Sequence, residues 1–157
     1  MTLREILQSK GSAVHTIDPD ATLQEVVRTL VSHRCGSLVV CQDVQSEGRS
    51  RGAMIGIITE RDILNAAAEH GAGFLRLRVA DVMTTDIRVG SPNDSVEDTM
   101  GLMTELRIRH LPVVEGGRLL GLVSIGDVVK MQHDRLTMEN HYLKNYLTDS
   151  GTFGAVL

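Results

Sequence analysis

The sequence has few aromatic residues, no tryptophan and no long apolar run. The aromatic side chains are two phenylalanines and two tyrosines, none of them interleaved with a basic cluster: Phe74, Tyr142, Tyr146 and Phe153. A stacking platform for single-stranded nucleic acid is therefore disfavoured. The formal net charge of −4 also argues against a broad phosphate-neutralising surface. We expect no nucleic-acid partner.

Cysteine is almost as scarce, since only Cys35 and Cys41 occur. Six residues of extended chain would place them about 20 Å apart, too far for a disulfide. They also lack the spacing of metal ligands. No apolar run approaches the roughly 18 residues of a membrane span, and the first residues lack the apolar region of a secretory signal. These absences favour a cytoplasmic protein with no membrane partner.

An internal repeat is the most informative feature that is present. The chain has 157 residues, of which 42% are apolar, which fits either one domain or two small packed units. Shifting the sequence by 73 aligns residues 14–41 with 87–114, and shifting it by 65 aligns 55–64 with 120–129. The first copy therefore carries eight extra residues in the polar loop 43–54. The repeat favours two packed units.

Each copy predicts a strand–helix–strand–strand–helix unit. Both helices of each copy begin with a capping-box pattern: Thr22 with Glu25, Thr59 with Asp62, Ser95 with Asp98, and Ser124 with Asp127. A unit of about 65 residues buries too little surface alone. We therefore predict an α+β fold in which tandem βαββα repeats pack sheet to sheet with pseudo-two-fold symmetry, followed by an extended C-terminal helix. The predicted divisions are 3–71 for repeat 1, 79–131 for repeat 2, 132–148 for the helical extension and 149–157 for a tail.

A hydroxyl and a carboxylate three residues apart open the last helix of each copy. The helix N-terminus offers free N–H groups and the positive end of the dipole, which suit phosphate, and the carboxylate suits a vicinal diol. The competing interpretation is an ordinary capping box that only satisfies its own helix.

The motifs G-I-I-T-E-R-D at 56–62 and G-L-V-S-I-G-D at 121–127, with R-H-L-P-V-V at 109–114, resemble the cystathionine-β-synthase (CBS) domain. The resemblance covers roughly residues 3–131, and a pair of such domains is often called a Bateman module. It implies a stand-alone regulatory module for energy or redox sensing. Such a module has no catalytic activity and binds adenine nucleotide in the cleft between the copies. AMP is the first expected ligand, followed by ATP, ADP, NAD(H) or S-adenosylmethionine.

Carried over by motif position, the resemblance assigns phosphate to Thr59 and Ser124 and ribose to Asp62 and Asp127. The first strand of a copy would hold adenine, at Thr16 and Ile17 or at Val89 and Gly90. The full candidate set is Thr16, Ile17, Thr59, Arg61, Asp62, Val89, Arg109, His110, Leu111, Pro112, Ser124, Ile125 and Asp127.

The two copies differ in charge at the predicted site. Arg109 and His110 precede a strand of the second copy where the first copy has Gly36 and Ser37. The resemblance implies that Arg109 reaches phosphate, which favours the second site; the alternative is a solvated basic strand end. Arg61 would reach phosphate or simply pair with a neighbouring carboxylate.

Pro112 within a strand run predicts an edge or a bulge, where a freed carbonyl would accept a bond from the ligand. The alternative is a proline that merely blunts the edge of the sheet.

The remaining predictions concern partners and alternative classes. An apolar stripe after Asp127 predicts a helix that packs on its own module or forms a dimer contact: Leu136, Met138, Tyr142, Leu143, Tyr146 and Leu147. We expect a homodimer that acts on an unknown regulated protein. His133 and His141 lie too far apart for an i, i+4 metal pair, and no metal site is expected. The alternative classes are a small nucleotide-processing enzyme, for which no catalytic motif was found, and a purely structural dimerisation module.

Overall fold

The structure, a computed structural model, describes residues 1–42 and 53–152. The predicted loop insertion at 43–54 lies almost entirely outside the described residues. The first repeat contains β1 (Thr16–Ile17), α2 (Leu23–His33), β2 (Ser37–Cys41), β3 (Met54–Thr59) and α3 (Glu60–His70), followed by a 3₁₀ turn at Gly71–Arg76.

The second repeat contains α5 (Val96–Glu105), β4 (His110–Glu115), β5 (Arg118–Ser124) and α6 (Ile125–Thr152). Two short helices precede the repeats, α1 (Leu3–Lys10) and α4 (Val79–Val82). The strand expected near Val89 is reduced to a single parallel bridge between Gly90 and Val113.

The sheets follow the same plan in both repeats. In the first, β1 is parallel to β2, and β2 is antiparallel to β3; in the second, β4 and β5 form an antiparallel pair. Both hairpins carry a register shift at equivalent places, between Val40 and Cys41 and between Val113 and Val114. The shift in β4 lies one residue beyond Pro112. The predicted α+β fold with two repeats and a C-terminal helix is confirmed.

The two short helices are exchanged between the repeats: each one packs against the repeat that it does not directly precede. Leu3, Ile6 and Leu7 of α1 belong to the core of the second repeat, whereas Val79 of α4 belongs to the core of the first. The second core also contains Val96, Met103, Leu111, Val113, Val123 and Val128; the first contains Ile17, Leu23, Val26, Leu30, Leu38, Val40, Ile58 and Ala66. Each core is therefore completed by a helix that precedes the other repeat.

Equivalent glycines make this exchange possible. A Cβ at Gly121 of β5 would lie 2.6 Å from Leu7 Cδ2, and one at Gly56 of β3 would lie 2.6 Å from Met83 Sδ. Both distances are far below an ordinary carbon contact. The glycine that opens each motif thus lets the exchanged segment pack directly on the strand.

Helix α6 starts in the core and continues past it. Ile125, Val128 and Met131 pack in the second core, but every residue from His133 to Asp149 is exposed. The apolar side chains Leu136, Met138, Tyr142 and Leu143 are 56–70% exposed, so the expectation that this stripe packs on its own module is wrong for them. The helix ends at Thr152 rather than near 148. No described helix is long and apolar enough to cross a membrane.

Candidate functional site

A cleft of about 400 Å³ lies between the two repeats. Its walls come from segment 13–15 before β1, segment 34–37 at the start of β2, and Lys10, His110, Leu122 and Ser124. Ligand pockets are usually concave sites of about 300–1,000 Å³. Both repeats and the exchanged helix α1 therefore contribute to one ligand-sized site.

The repeat brings equivalent residues to this cleft. Ser37 pairs with Thr59 in the first hairpin, and His110 pairs with Ser124 in the second. The first turn of each following helix is anchored to the neighbouring strand, since Glu60 N–H donates to Gly36 O at 3.1 Å and Ile125 N–H donates to Arg109 O at 2.9 Å. The strand start and the helix start thus form one unit in each copy.

Ser124 and Asp127 form the helix start nearest the cleft. Ser124 N–H donates to Asp127 Oδ2 at 2.8 Å, and Asp127 N–H donates to Ser124 Oγ at 3.1 Å. Lys10 also donates to Asp127 Oδ2, at 2.5 Å, and to the Leu122 carbonyl at 2.9 Å. Burial opposes ionisation of Asp127, but the hydrogen bonds from Lys10 and Ser124 and the Lys10 charge outweigh it and lower the pKa of Asp127. A cation from α1 is therefore held at this helix start.

Thr59 and Asp62 form the equivalent helix start in the first copy, where the additional partner of the carboxylate is a neutral hydroxyl instead of a lysine. Thr59 N–H donates to Asp62 Oδ2 at 2.9 Å, and the Thr84 hydroxyl donates to Asp62 Oδ1 at 3.1 Å. Both oxygens of Asp62 thus accept hydrogen bonds within the protein. Thr59, Asp62 and Asp127 do not line the described cleft, whereas Ser124 and Lys10, the hydrogen-bond partners of Asp127, do.

The Ser37 hydroxyl is the least satisfied polar group at the cleft. Ser37 is only 4% exposed, and its Oγ has no hydrogen-bond partner among the described residues. Leaving a buried hydroxyl unpaired costs about 1–3 kcal/mol. Ser37 lines the cleft, but its hydroxyl is itself shielded from solvent, so a bound molecule would reach it only after the side chain rotates.

His110 faces Gly36, the residue before Ser37, across the cleft. A Cβ at Gly36 would lie 3.2 Å from His110 Cε1 and 3.3 Å from a carboxylate oxygen of Glu60, which shows how closely the three residues meet. Burial lowers the pKa of His110; the charges of Lys10 and Arg109 act in the same direction, and those of Glu60 and Asp127 oppose it. His110 therefore remains neutral at neutral pH and presents one donor and one acceptor nitrogen.

We expect His110 to make stability depend on pH. Because its pKa is lowered in the folded state, the unfolded chain takes up the proton first as pH falls below about 6.5. The stabilisation gained by burying the neutral imidazole of His110 is therefore complete above that pH. It is lost as the pH falls towards the pKa that His110 has in the folded state. Urea unfolding between about pH 5 and 8 should show a smaller loss of stability in His110→Gln than in the parent chain. An unchanged slope would contradict this role. The pKa of His15 is lowered by burial and by the charge of His33, so His15 makes stability depend on pH in both proteins.

Several predicted residues lie elsewhere. The side chains of Arg61, Val89 and Arg109 are exposed and do not line the described cleft. Leu111 is buried in the second core, and the Pro112 carbonyl is not freed, because it accepts from Gly90 N–H at 2.8 Å. Thr16, Ile17 and Ile125 are at least half-buried, beside or behind the lining segments.

Lys10, Ser37 and His15 were not predicted as site residues. Ser37 was detectable, since the shift of 73 that defines the repeat places it opposite His110. Segment 13–15 also directly precedes the predicted Thr16. Lys10 had no such signal, because its position depends on the exchange of α1.

The geometry defines a class of protein, a tandem βαββα module with an inter-repeat cleft. The model of the CBS domain matches residues 3–69 and 79–134, and the chain belongs to this family. It is 34% identical to the CBS domain-containing protein YhcV of Bacillus subtilis, over 83% of this chain and 86% of that protein. It is also 34% identical to the mitochondrial CBS domain-containing protein CBSX3 of Arabidopsis thaliana, over 82% of this chain but only 63% of that protein. A crystal structure of a CBS-domain-containing protein from Agrobacterium tumefaciens superposes with a TM-score of 0.77 and 38% identity, covering 83% of this chain and 92% of that one.

Proposed function

We propose that the protein is a regulatory module without catalytic activity that binds an adenine nucleotide in the cleft between its repeats. AMP is the preferred ligand, with ATP, ADP, NAD(H) and S-adenosylmethionine as further candidates. The module acts in the cytoplasm as a homodimer and passes its ligand state to a regulated protein. The observation that carries the proposal is the ligand-sized cleft, to which Ser37 of the first repeat, Ser124 of the second repeat and Lys10 of α1 all contribute.

The phosphate end of the ligand would lie at the start of α6. Ser124 offers a hydroxyl, the helix N-terminus offers its dipole, and Lys10 offers an ammonium group beside it. Arg34 also lines the cleft. These local groups attract phosphate although the net charge of the chain is −4.

The ribose end would contact Asp127. Its Oδ2 accepts hydrogen bonds from Ser124 and Lys10, whereas Oδ1 accepts none among the described residues. A carboxylate oxygen in that state is suited to a ribose hydroxyl. Asp62 is less suited, because Thr84 already occupies its Oδ1. The second copy's helix start thus supports the stronger site.

Adenine would lie against segment 13–15, whose Ala13 and Val14 provide apolar surface beside the backbone of the first repeat. One ligand would then contact the first repeat, the second repeat and α1 together. It would favour the arrangement of the repeats that presents all three sets of contacts, which is a population shift. The regulated surface would respond to that shift.

An enzyme acting on a nucleotide is the competing class. It needs a general base, and the carboxylates near the cleft are poor ones. Asp127 is bound to Lys10 and Ser124, and its lowered pKa makes it a weaker base. Substantial turnover of ATP or NADH by the purified chain would overturn the binding-only proposal.

The test compares nucleotide-dependent stabilisation in Ser37→Ala and in the parent chain. A ligand at 100 times its Kd adds about 2.7 kcal/mol to the free energy of unfolding. Ser37→Ala removes a hydroxyl that has no partner, so the ligand-free protein should keep or gain stability. The stabilisation by AMP should fall by about 1.4 kcal/mol, which corresponds to tenfold weaker binding.

Ser95→Ala is the matched control. Ser95 accepts from Asp98 N–H at 3.0 Å as the N-cap of α5 and does not line the cleft. Its loss should cost about 1 kcal/mol without ligand and leave the AMP effect unchanged. No stabilisation of the parent by any adenine ligand would instead favour a purely structural module.

A further inference from the structure

The exposed part of α6 presents apolar side chains to solvent. From His133 to Asp149 the helix runs through solvent with every residue exposed. Arg135 ties the helix to α5 through an ion pair with Glu97 and also pairs with Glu139 within α6. Beyond it, the apolar side chains of Leu136, Met138, Tyr142 and Leu143 are exposed.

The uncovered residues follow a heptad. Val129, Leu136 and Leu143 recur every seven residues and are 51%, 56% and 60% exposed. Assigning them to position d places His133, Asn140 and Leu147 at position a. These d positions are apolar, whereas two of the three a positions are polar, which is the pattern of a short two-stranded seam with polar layers. Met138 and Tyr142 fall at the outer positions f and c.

We propose that α6 forms a parallel, in-register, two-stranded coiled coil with α6 of a second copy of this chain. Asn140 at position a specifies this arrangement, because paired asparagines at one a position favour parallel dimers. The flanking charges agree with it. Glu139 at position g would meet Lys144 of the partner subunit at position e, the usual interhelical ion pair.

The antiparallel arrangement is less favourable. It would place the Asn140 amide against a d-position residue such as Leu136 or Leu143, and a buried amide without a partner costs about 1–3 kcal/mol. It would also lose the Glu139 pairing with Lys144 of the partner subunit. The seam is separate from the nucleotide cleft, so this proposal does not depend on ligand binding.

The first test measures the oligomeric state of the full chain by analytical ultracentrifugation. The parent should be a dimer, and Leu136→Glu with Leu143→Glu should weaken dimerisation at least about a hundredfold, because four apolar side chains are lost per dimer. The matched control, Met138→Glu with Tyr142→Glu, changes two equally exposed residues outside the seam and should remain dimeric. Circular dichroism and urea unfolding confirm that both variants keep a folded module. A monomeric parent, a dimeric seam variant or a monomeric control would overturn the proposal.

The second test addresses orientation by oxidative cross-linking. Asn140→Cys should form a disulfide-linked dimer rapidly, since equivalent a positions face each other in a parallel seam. Met138→Cys should show only the background of the parent, which includes the half-buried Cys35. Equal cross-linking of the two variants, or none with Asn140→Cys, would overturn the parallel arrangement.

Discussion

Truncating Leu3 to alanine is expected to lower the free energy of unfolding by about 3 kcal/mol, within the usual range for a buried leucine. Leu3 is completely buried although it lies near the beginning of the chain. It packs in the second core, where a Cβ at Gly90 would lie 2.9 Å from Leu3 Cδ1 and also 2.9 Å from Leu111 Cδ2. Such a tight site cannot close over the cavity. Urea denaturation measures the loss.

Leu64→Ala is the matched control, because the same atoms are removed from a side chain that is 70% exposed. We expect a change within about 0.5 kcal/mol. Hydrogen exchange distinguishes the observed arrangement, in which α1 packs on the second repeat, from one in which α1 packs on the first repeat. Leu3→Ala should loosen β4 and β5 more than β2 and β3. Faster exchange confined to the first repeat would show that α1 packs there instead.

Asp127→Ala is expected to remove most of the stabilisation that a bound adenine nucleotide confers. The variant loses the proposed acceptor for the ribose and releases Lys10 from its ion pair. Hydrogen bonds to a charged group contribute about 1.5–3 kcal/mol each. Losing one such bond weakens binding by about 10- to 100-fold. Chemical denaturation with and without AMP isolates the effect on binding, since the loss of the helix cap lowers the free energy of unfolding equally in the two conditions.

Asp62→Ala provides the comparison at the equivalent position of the first repeat. It loses a similar cap and the bond from Thr84, so its stability without ligand should also fall. The stabilisation by AMP should remain unchanged in this variant. The reverse ranking would place the ligand at the first repeat's helix start, and equal loss in both variants would indicate two coupled sites.

The duplication made most of the fold predictable. Capping residues such as Thr22 and Ser124 marked helix starts that the structure confirms. The bulge one residue beyond Pro112 agrees with the expected irregularity in that strand, but β2 has the equivalent bulge without a proline, so the proline is not required for it. Local signals were sufficient for the helix starts, because capping depends on residues close in sequence.

The exchange of α1 and α4 was not predictable in the same way. Both segments are short and apolar and fit either repeat, so the choice depends on tertiary packing against Gly56 and Gly121. This limit extends to the site. Ser124 and His110 were found from motif and repeat, but Lys10 reaches Asp127 only through the exchange. Ser37 was visible as the counterpart of His110, yet its unpartnered hydroxyl could be recognised only from burial.

The exchange of the two short helices also bears on the order of folding during synthesis. The core of the first repeat is completed by Val79 and Met83, so this repeat can fold once residues up to about 84 have left the ribosome. Leu3, Ile6 and Leu7 are made long before the strands around Val113 and Val123, on which they pack. Their apolar face stays uncovered through most of translation, when it is a target for chaperones or for aggregation.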